Sequence, residues 1–126
     1  MRVLVDTHAL IWFLTEPERL SRAAGACLED EGNDILVSAV SAYEIEYKRP
    51  LDPLLQRLPF ALEQAVADEV FTWRNITPAD AIRAGRLDRT HRDPWDRILA
   101  AQALEDGVPI VSMDRQLEIF GVRLIW

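Results

Sequence analysis

The sequence predicts an α/β fold, a three-layer α/β/α sandwich around a parallel sheet of about four to five strands. Three observations lead there. The runs Val3-Leu4-Val5, Ile35-Leu36-Val37 and Ile110-Val111 are apolar without alternation, as expected of central parallel strands buried on both faces. Segments with helical spacing separate them, and strands alternating with helices imply right-handed crossovers that place helices on both faces. A chain of 126 residues, 49% hydrophobic, suits a single domain over residues 1–126 with a real core and little room for a second.

The elements follow in order. Val3 to Val5 is the first strand, and Asp6 stands at its carboxyl end. Thr7 to Leu14 reads as a helix that is apolar nearly all round, Ala9, Leu10, Ile11, Trp12, Phe13 and Leu14 included, so it is either sandwiched in the core or partly reserved for a partner. Glu16-Pro17-Glu18 breaks the pattern. Ser21 caps a second helix to about Glu31, whose stripe of Leu20, Ala23, Ala24, Cys27 and Leu28 makes Cys27 a core thiol. Gly32-Asn33-Asp34 is a turn, Ile35 to Val37 the second strand, and Ser38 begins a helix carrying Glu44 and Lys48. Ser41 and Glu44 also match a capping box; if the helix starts at Ser38, Glu44 lies in its second turn and caps nothing. Pro50, Pro53 and Pro59 interrupt the chain before a helix over Phe60 to Asp68. Val70 to Ile76 alternates weakly and reads as an edge strand. Thr77 caps a helix from Pro78 to about Leu87.

Asp93-Pro94 opens the next helix. Proline has no N–H to lose and its φ is already helical, so Pro94 fits the first helical position with Asp93 as N-cap and Asp96 in the first turn. Trp95, Ile98, Leu99 and Ala103 share helical spacing, and Gly107 and Pro109 end the helix near Asp106. Ile110 to Ser112 is a strand with Asp114 just beyond it. A short helix over Arg115 to Phe120 and a strand over Val122 to Ile125 close the domain.

Charge and cysteine content narrow the function. The formal net charge is −7, which argues against a passive nucleic-acid binder working through a basic surface, but not against an enzyme whose clustered acids hold cations. Lys48 is the only lysine among 14 basic residues, and arginine is the better fork for phosphate oxygens. One cysteine excludes an internal disulfide and any multi-cysteine zinc site. The apolar run after Met1-Arg2 is too short for a signal-peptide core, and no run approaches a membrane span, so a cytoplasmic protein without membrane contact is expected.

The acids converge. Ligands of parallel sheets sit beyond the carboxyl ends of the strands, where Asp6 and Asp114 directly follow strands and Glu44 follows within two helical turns. The helix from Pro94 returns to the strand at Ile110 through a short loop, so it begins at that same edge and brings Asp93 and Asp96 with it. Each acid alone has a capping explanation. Four segments delivering acids to one edge is hard to attribute to capping, and carboxylates so close repel unless a cation lies between them. Oxygen ligation suits Mg2+ or Mn2+ rather than zinc, and such a site performs phosphodiester hydrolysis by metal-activated water well.

Asp6-Thr7-His8, the Glu44 and Lys48 pair, His91-Arg92-Asp93-Pro94-Trp95-Asp96-Arg97 and Ser112-x-Asp114, in that order, resemble the PIN-domain ribonuclease toxins of VapBC toxin–antitoxin modules. The resemblance spans nearly the whole chain and is weakest between Arg49 and Ile76. It implies Asp6, Glu44, Asp96 and Asp114 as metal-holding catalytic acids with Asp93 accessory, a three-layer fold, Mg2+ or Mn2+, an RNA substrate, a small VapB-type antitoxin as inhibitor and a homodimer. Tyr43 stands where many relatives carry Trp. His8 and His91 can touch RNA or metal, or simply bond to backbone as loop histidines commonly do. Arg89, Arg92, Arg97 and Arg115 can hold phosphates or merely balance the acids, and Thr7 and Ser112 can orient ligands or serve as caps. Trp12, Phe13 and the segment from Leu51 to Leu62 exceed what one small core needs, which leaves some of them for a partner.

Two other readings compete. A haloacid-dehalogenase-type phosphatase wants a second Asp two residues after the first, where His8 stands, and a receiver wants a lysine after a late strand, where there is none. A catalytically silent acidic interaction module of the same fold is separated from the enzyme by an RNA-cleavage assay with an Asp6→Asn control.

Overall fold

The computed structural model describes all residues, 1–126. Its strands are β1 (Arg2–Val5), β2 (Asp34–Ser38), β3 (Thr72–Arg74), β4 (Ile110–Val111) and β5 (Leu124–Ile125), and its helices are α1 (Thr7–Thr15), α2 (Arg22–Glu29), α3 (Ala39–Lys48), α4 (Leu62–Asp68), α5 (Pro78–Arg86) and α6 (Pro94–Asp106). Short 3-10 turns cover Pro17–Arg19, Arg49–Leu51, Leu55–Arg57 and Arg115–Phe120. The five strands form one sheet in the order β3-β2-β1-β4-β5, and every neighbouring pair is parallel.

The pleat splits the apolar runs into two cores. Val3, Val5, Ile35, Val37 and Val111 face Ala9, Leu10, Cys27, Leu28 and Val66 of α1, α2 and α4. Leu4, Leu36 and Ile110 face Leu99, Ala100 and Ala103 of α6 and Leu117 and Phe120 of the turn after β4. Both faces of β1 are thus covered, which is why its sequence does not alternate. Small residues at 100, 101 and 103, all buried, let α6 lie close on the sheet.

Most expected elements are present, with local differences. The sixties helix starts at Leu62 rather than Phe60, and Phe60 is 93% exposed. The edge strand keeps only Thr72–Arg74 of the expected seven-residue stretch, because Val70 adopts φ 61 and turns the chain just before it. Trp12 belongs to the core, packed 5.9 Å from Trp126, and Leu55, Leu58 and Leu62 are buried beside it, so the apolar surplus shrinks to Leu51 and Phe60. Arg49 explains the order of the proline-rich segment: its guanidinium donates to the carbonyls of Leu55, Leu58 and Pro59. Cys27 is buried, and that burial pushes its thiol pKa up. No helix is long and apolar enough to cross a membrane.

Candidate active site

The carboxyl edge of the sheet is also an edge of helix N-termini. Asp6 ends β1 and caps α1, its Oδ1 accepting from the Ala9 N–H at 2.7 Å. Asp93 caps α6, its Oδ1 accepting from Trp95 at 2.9 Å and Asp96 at 3.3 Å. Asp114 caps the turn Arg115–Phe120, its Oδ1 accepting from Gln116 at 3.0 Å. Capping and ligation are therefore compatible. Each cap commits one carboxylate oxygen to a helix start, where the helix dipole favours negative charge, and leaves the other for what lies beyond the strand ends.

The side chains gather unevenly. Donor atoms of His91, Asp96 and Asp114 lie within 4.8 Å of one another. Asp6 is 7% exposed, and burial pushes its carboxyl up to about 6; the Ser112 hydroxyl, the Ala9 N–H and His8 pull it back, and the Asp96 charge pushes it further up. Asp96 is also raised, by burial first and then by Asp93 and Asp114, against the His91 hydrogen bond. No Lys or Arg lies within ion-pair distance of Asp6, Asp93, Asp96 or Asp114.

Glu44 is placed differently. Ser38 is the N-cap of α3, so Glu44 sits in the second turn and caps nothing. It is 5% exposed, and its Oε2 accepts from Lys48 Nζ at 2.6 Å, with that ammonium 4.7 Å from the centre of the Trp95 ring. Thr7, His8, Glu44 and Lys48 line a small cavity of about 90 Å³, and Thr7 Oγ1 lies 2.9 Å from Ser41 Oγ. The charge of Glu44 is thus already answered by the chain's only lysine, whereas those of the aspartates are not.

Three expectations change. His91 is not a histidine spent on backbone, because its Nε2 lies 2.8 Å from Asp96 Oδ2. Nothing local in the sequence signals this contact, which reaches across a helix N-cap. Arg97 is not free for phosphate: its guanidinium donates to the carbonyls of Ala84, Leu87, Asp88 and His91. Arg115 pairs with Glu118 at 2.6 Å. Arg89 and Arg92 remain, lining with Gly85 and Arg97 an open groove of about 380 Å³. Ser112 serves both expected roles, accepting from the Asp114 N–H at 3.0 Å and lowering Asp6 by hydrogen bonding.

Neighbouring carboxylates with no Lys or Arg partner, two of them (Asp6 and Asp96) desolvated, together with an imidazole nitrogen form a donor set that fits a divalent cation.

Comparison with known proteins bears on the family and the fold. The PIN domain family model matches residues 3–122. Ribonuclease VapC22 of Mycobacterium tuberculosis is 34% identical over 117 residues, covering 91% of this chain and 88% of the relative. The crystal structure of VapBC2 from Rickettsia felis bound to a DNA fragment from their promoter superposes with a TM-score of 0.74 at 13% identity, covering 98% of this chain and 97% of that one. DNA-bound VapBC from Salmonella typhimurium gives 0.71 at 19% identity, over 98% and 96% of the two chains. FitAcB from Neisseria gonorrhoeae gives 0.67 at 18%, over 97% and 95%.

Proposed function

The chain belongs to the PIN domain family, and from that premise we propose that it is a metal-dependent endoribonuclease acting as the toxin of a toxin–antitoxin module. The observation that carries the reading is the set of acids at the sheet edge whose charges no Lys or Arg balances, with Asp6 and Asp96 both pushed above the ordinary carboxylate range. Asp6, Asp96 and Asp114 hold Mg2+ or Mn2+, with Asp93 beside them and Glu44 at the flank under the control of Lys48. When bound, the cation lowers the pKa of water and offsets charge on the leaving oxygen of a phosphodiester.

The rest of the work falls to the chain itself. The Ala9 N–H and Ser112 fix Asp6, the Gln116 N–H fixes Asp114, and His91 fixes Asp96, so the acids are set before substrate arrives. Arg89 and Arg92 line a groove with Gly85 and Arg97, and on this reading they supply the cations that an RNA backbone needs.

Purified protein free of any partner, incubated with structured RNA and Mg2+ or Mn2+, is expected to cut, and EDTA and Asp6→Asn are each expected to stop it. Cutting that survives EDTA overturns the metal mechanism. A small VapB-type antitoxin is the inhibitor this reading requires, and a basic side chain on it would suit the acidic mouth. Leu51 and Phe60, 89% and 93% exposed, are the residues left for that partner or for a second subunit in a cytoplasmic homodimer. A monomer by light scattering that ignores the small protein encoded beside it would overturn the partner assignment.

A further inference from the structure

We infer that His91 is itself a metal ligand, so that the site is a mixed nitrogen–oxygen site that selects Mn2+ over Mg2+, and not one made of carboxylates alone. The inference rests on the nuclease reading above. Three observations carry it. An imidazole nitrogen of His91 belongs to a group of three donor atoms within 4.8 Å of one another, with Asp96 and Asp114. Its 2.8 Å separation from Asp96 Oδ2 matches the spacing of neighbouring ligand atoms around an octahedral ion of this size, ~3 Å when each bond is about 2.1 Å. The ring is placed by more than that contact: its centre lies 5.6 Å from that of Phe120, and its carbonyl accepts from Arg97 Nη1 at 2.9 Å. The backbone and the ring of His91 thus each have a contact besides the one from Nε2 to Asp96.

Imidazole is a softer donor than carboxylate or water, and it suits later first-row ions better than Mg2+, which prefers oxygen and retains its waters. The preference for Mn2+ therefore resides in one side chain. His91 and His8 are the only histidines, so the source of a nitrogen signal can be assigned by substitution.

The test uses the whole chain, purified without a partner, with Mn2+ and Mg2+ as the probes. Pulsed electron paramagnetic resonance of bound Mn2+ is expected to show the coupling of a directly coordinated imidazole ¹⁴N in the wild type and in His8→Gln, and to lose it in His91→Gln. Calorimetric titration should show the Mn2+/Mg2+ affinity ratio falling on the order of tenfold in His91→Gln. A histidine that only orients Asp96 would instead weaken both ions alike, by roughly 10- to 100-fold, and leave no ¹⁴N coupling in any variant. That result, or a coupling lost in His8→Gln, overturns the assignment while leaving the nuclease reading intact. Should His91→Gln fail to fold, the wild-type and His8→Gln spectra still decide. Should the wild type bind neither ion, the nuclease reading fails and this inference with it.

Discussion

The two ends of α6 solve the same electrostatic problem in opposite ways. At its N-terminus Asp96 joins acids with no Lys or Arg partner, its one basic neighbour being His91. At its C-terminus Asp106 and the fully buried Asp80 share Arg74, whose Nε lies 2.8 Å from Asp106 Oδ2 while Nη1 and Nη2 each lie 2.8 Å from an oxygen of Asp80. Burial pushes Asp80 up, but the hydrogen bonds from Arg74 and Thr77 outweigh it and hold the carboxyl below the ordinary range. The same partners hold the Arg74 guanidinium more firmly protonated than usual. Asp6 is slightly less buried than Asp80, yet its carboxyl goes up. Burial sets the stakes and the partner decides the sign. One end carries its own cation, and on the proposed reading the other takes one from solution.

That contrast can be broken from the closed end first. Arg74→Met leaves Asp80 buried without its countercharge and is expected to cost about 3–5 kcal/mol in urea denaturation, the largest stability loss among these substitutions. Cleavage per folded molecule should be unchanged, because Arg74 lies outside the site. A variant as stable as the wild type would mean that the two ends do not differ as argued.

The open end predicts a pH dependence of the opposite sign to that of a paired acid. The folded-state pKa of Asp6, about 6, lies above its unfolded value of 3.8, so the folded chain binds the proton more tightly. Stability without metal should be highest below about pH 4 as far as Asp6 is concerned, fall as pH rises toward 6, and then level off. The total loss is about 3 kcal/mol, taking 1.36 kcal/mol per pKa unit. The measurement is the difference between wild type and Asp6→Asn across that range, since Asn keeps the cap and removes the titration. A flat difference refutes the unbalanced-acid picture.

Activity sharpens the comparison further. Asp6→Asn is expected to lower cleavage on the order of a hundredfold, the upper end of what even the loss of an outer partner costs a metal site. Asp80→Asn, if it folds, should leave cleavage per folded molecule near wild type. The smallest effect belongs to Asp96→Asn. Without metal its melting midpoint should match or exceed the wild type, by up to ~1 kcal/mol, because a repelling charge is removed while the Asn retains the shape. Added Mn2+ should raise the wild type more, through mass action. A lower midpoint with equal Mn2+ shifts would make Asp96 a structural acid only.

The parts of the molecule that were legible are those written in local pattern. Unbroken apolar runs marked β1, β2 and β4, and Asp93-Pro94 marked the start of α6 to the residue. That Asp6, Asp96 and Asp114 share one edge follows from topology, since each lies at a strand end or at the start of the helix that returns to β4, while the donor atoms that come within 4.8 Å of one another are those of His91, Asp96 and Asp114. What stayed hidden depends on side-chain reach across turns. Arg74 finds Asp106 over 32 positions, and no periodicity encodes that contact. The sequence shows the spacing of Glu44 to Lys48 but not that the ammonium closes on it at 2.6 Å. The sequence leaves His91 a bond to backbone and Arg97 a phosphate, because both act on a loop whose path only the fold determines.

Arg97 carries a consequence for ligand capture. By fastening the carbonyls of Leu87, Asp88 and His91 to that of Ala84, it takes the loop between α5 and α6 out of the set of segments that must be ordered on binding. Fixing a residue's backbone costs roughly 1–2 kcal/mol, and here that entropy is surrendered once, when the chain folds. On the proposed reading, an incoming ion would meet a rim already ordered by a guanidinium whose hydrogen bonds all go to backbone carbonyls.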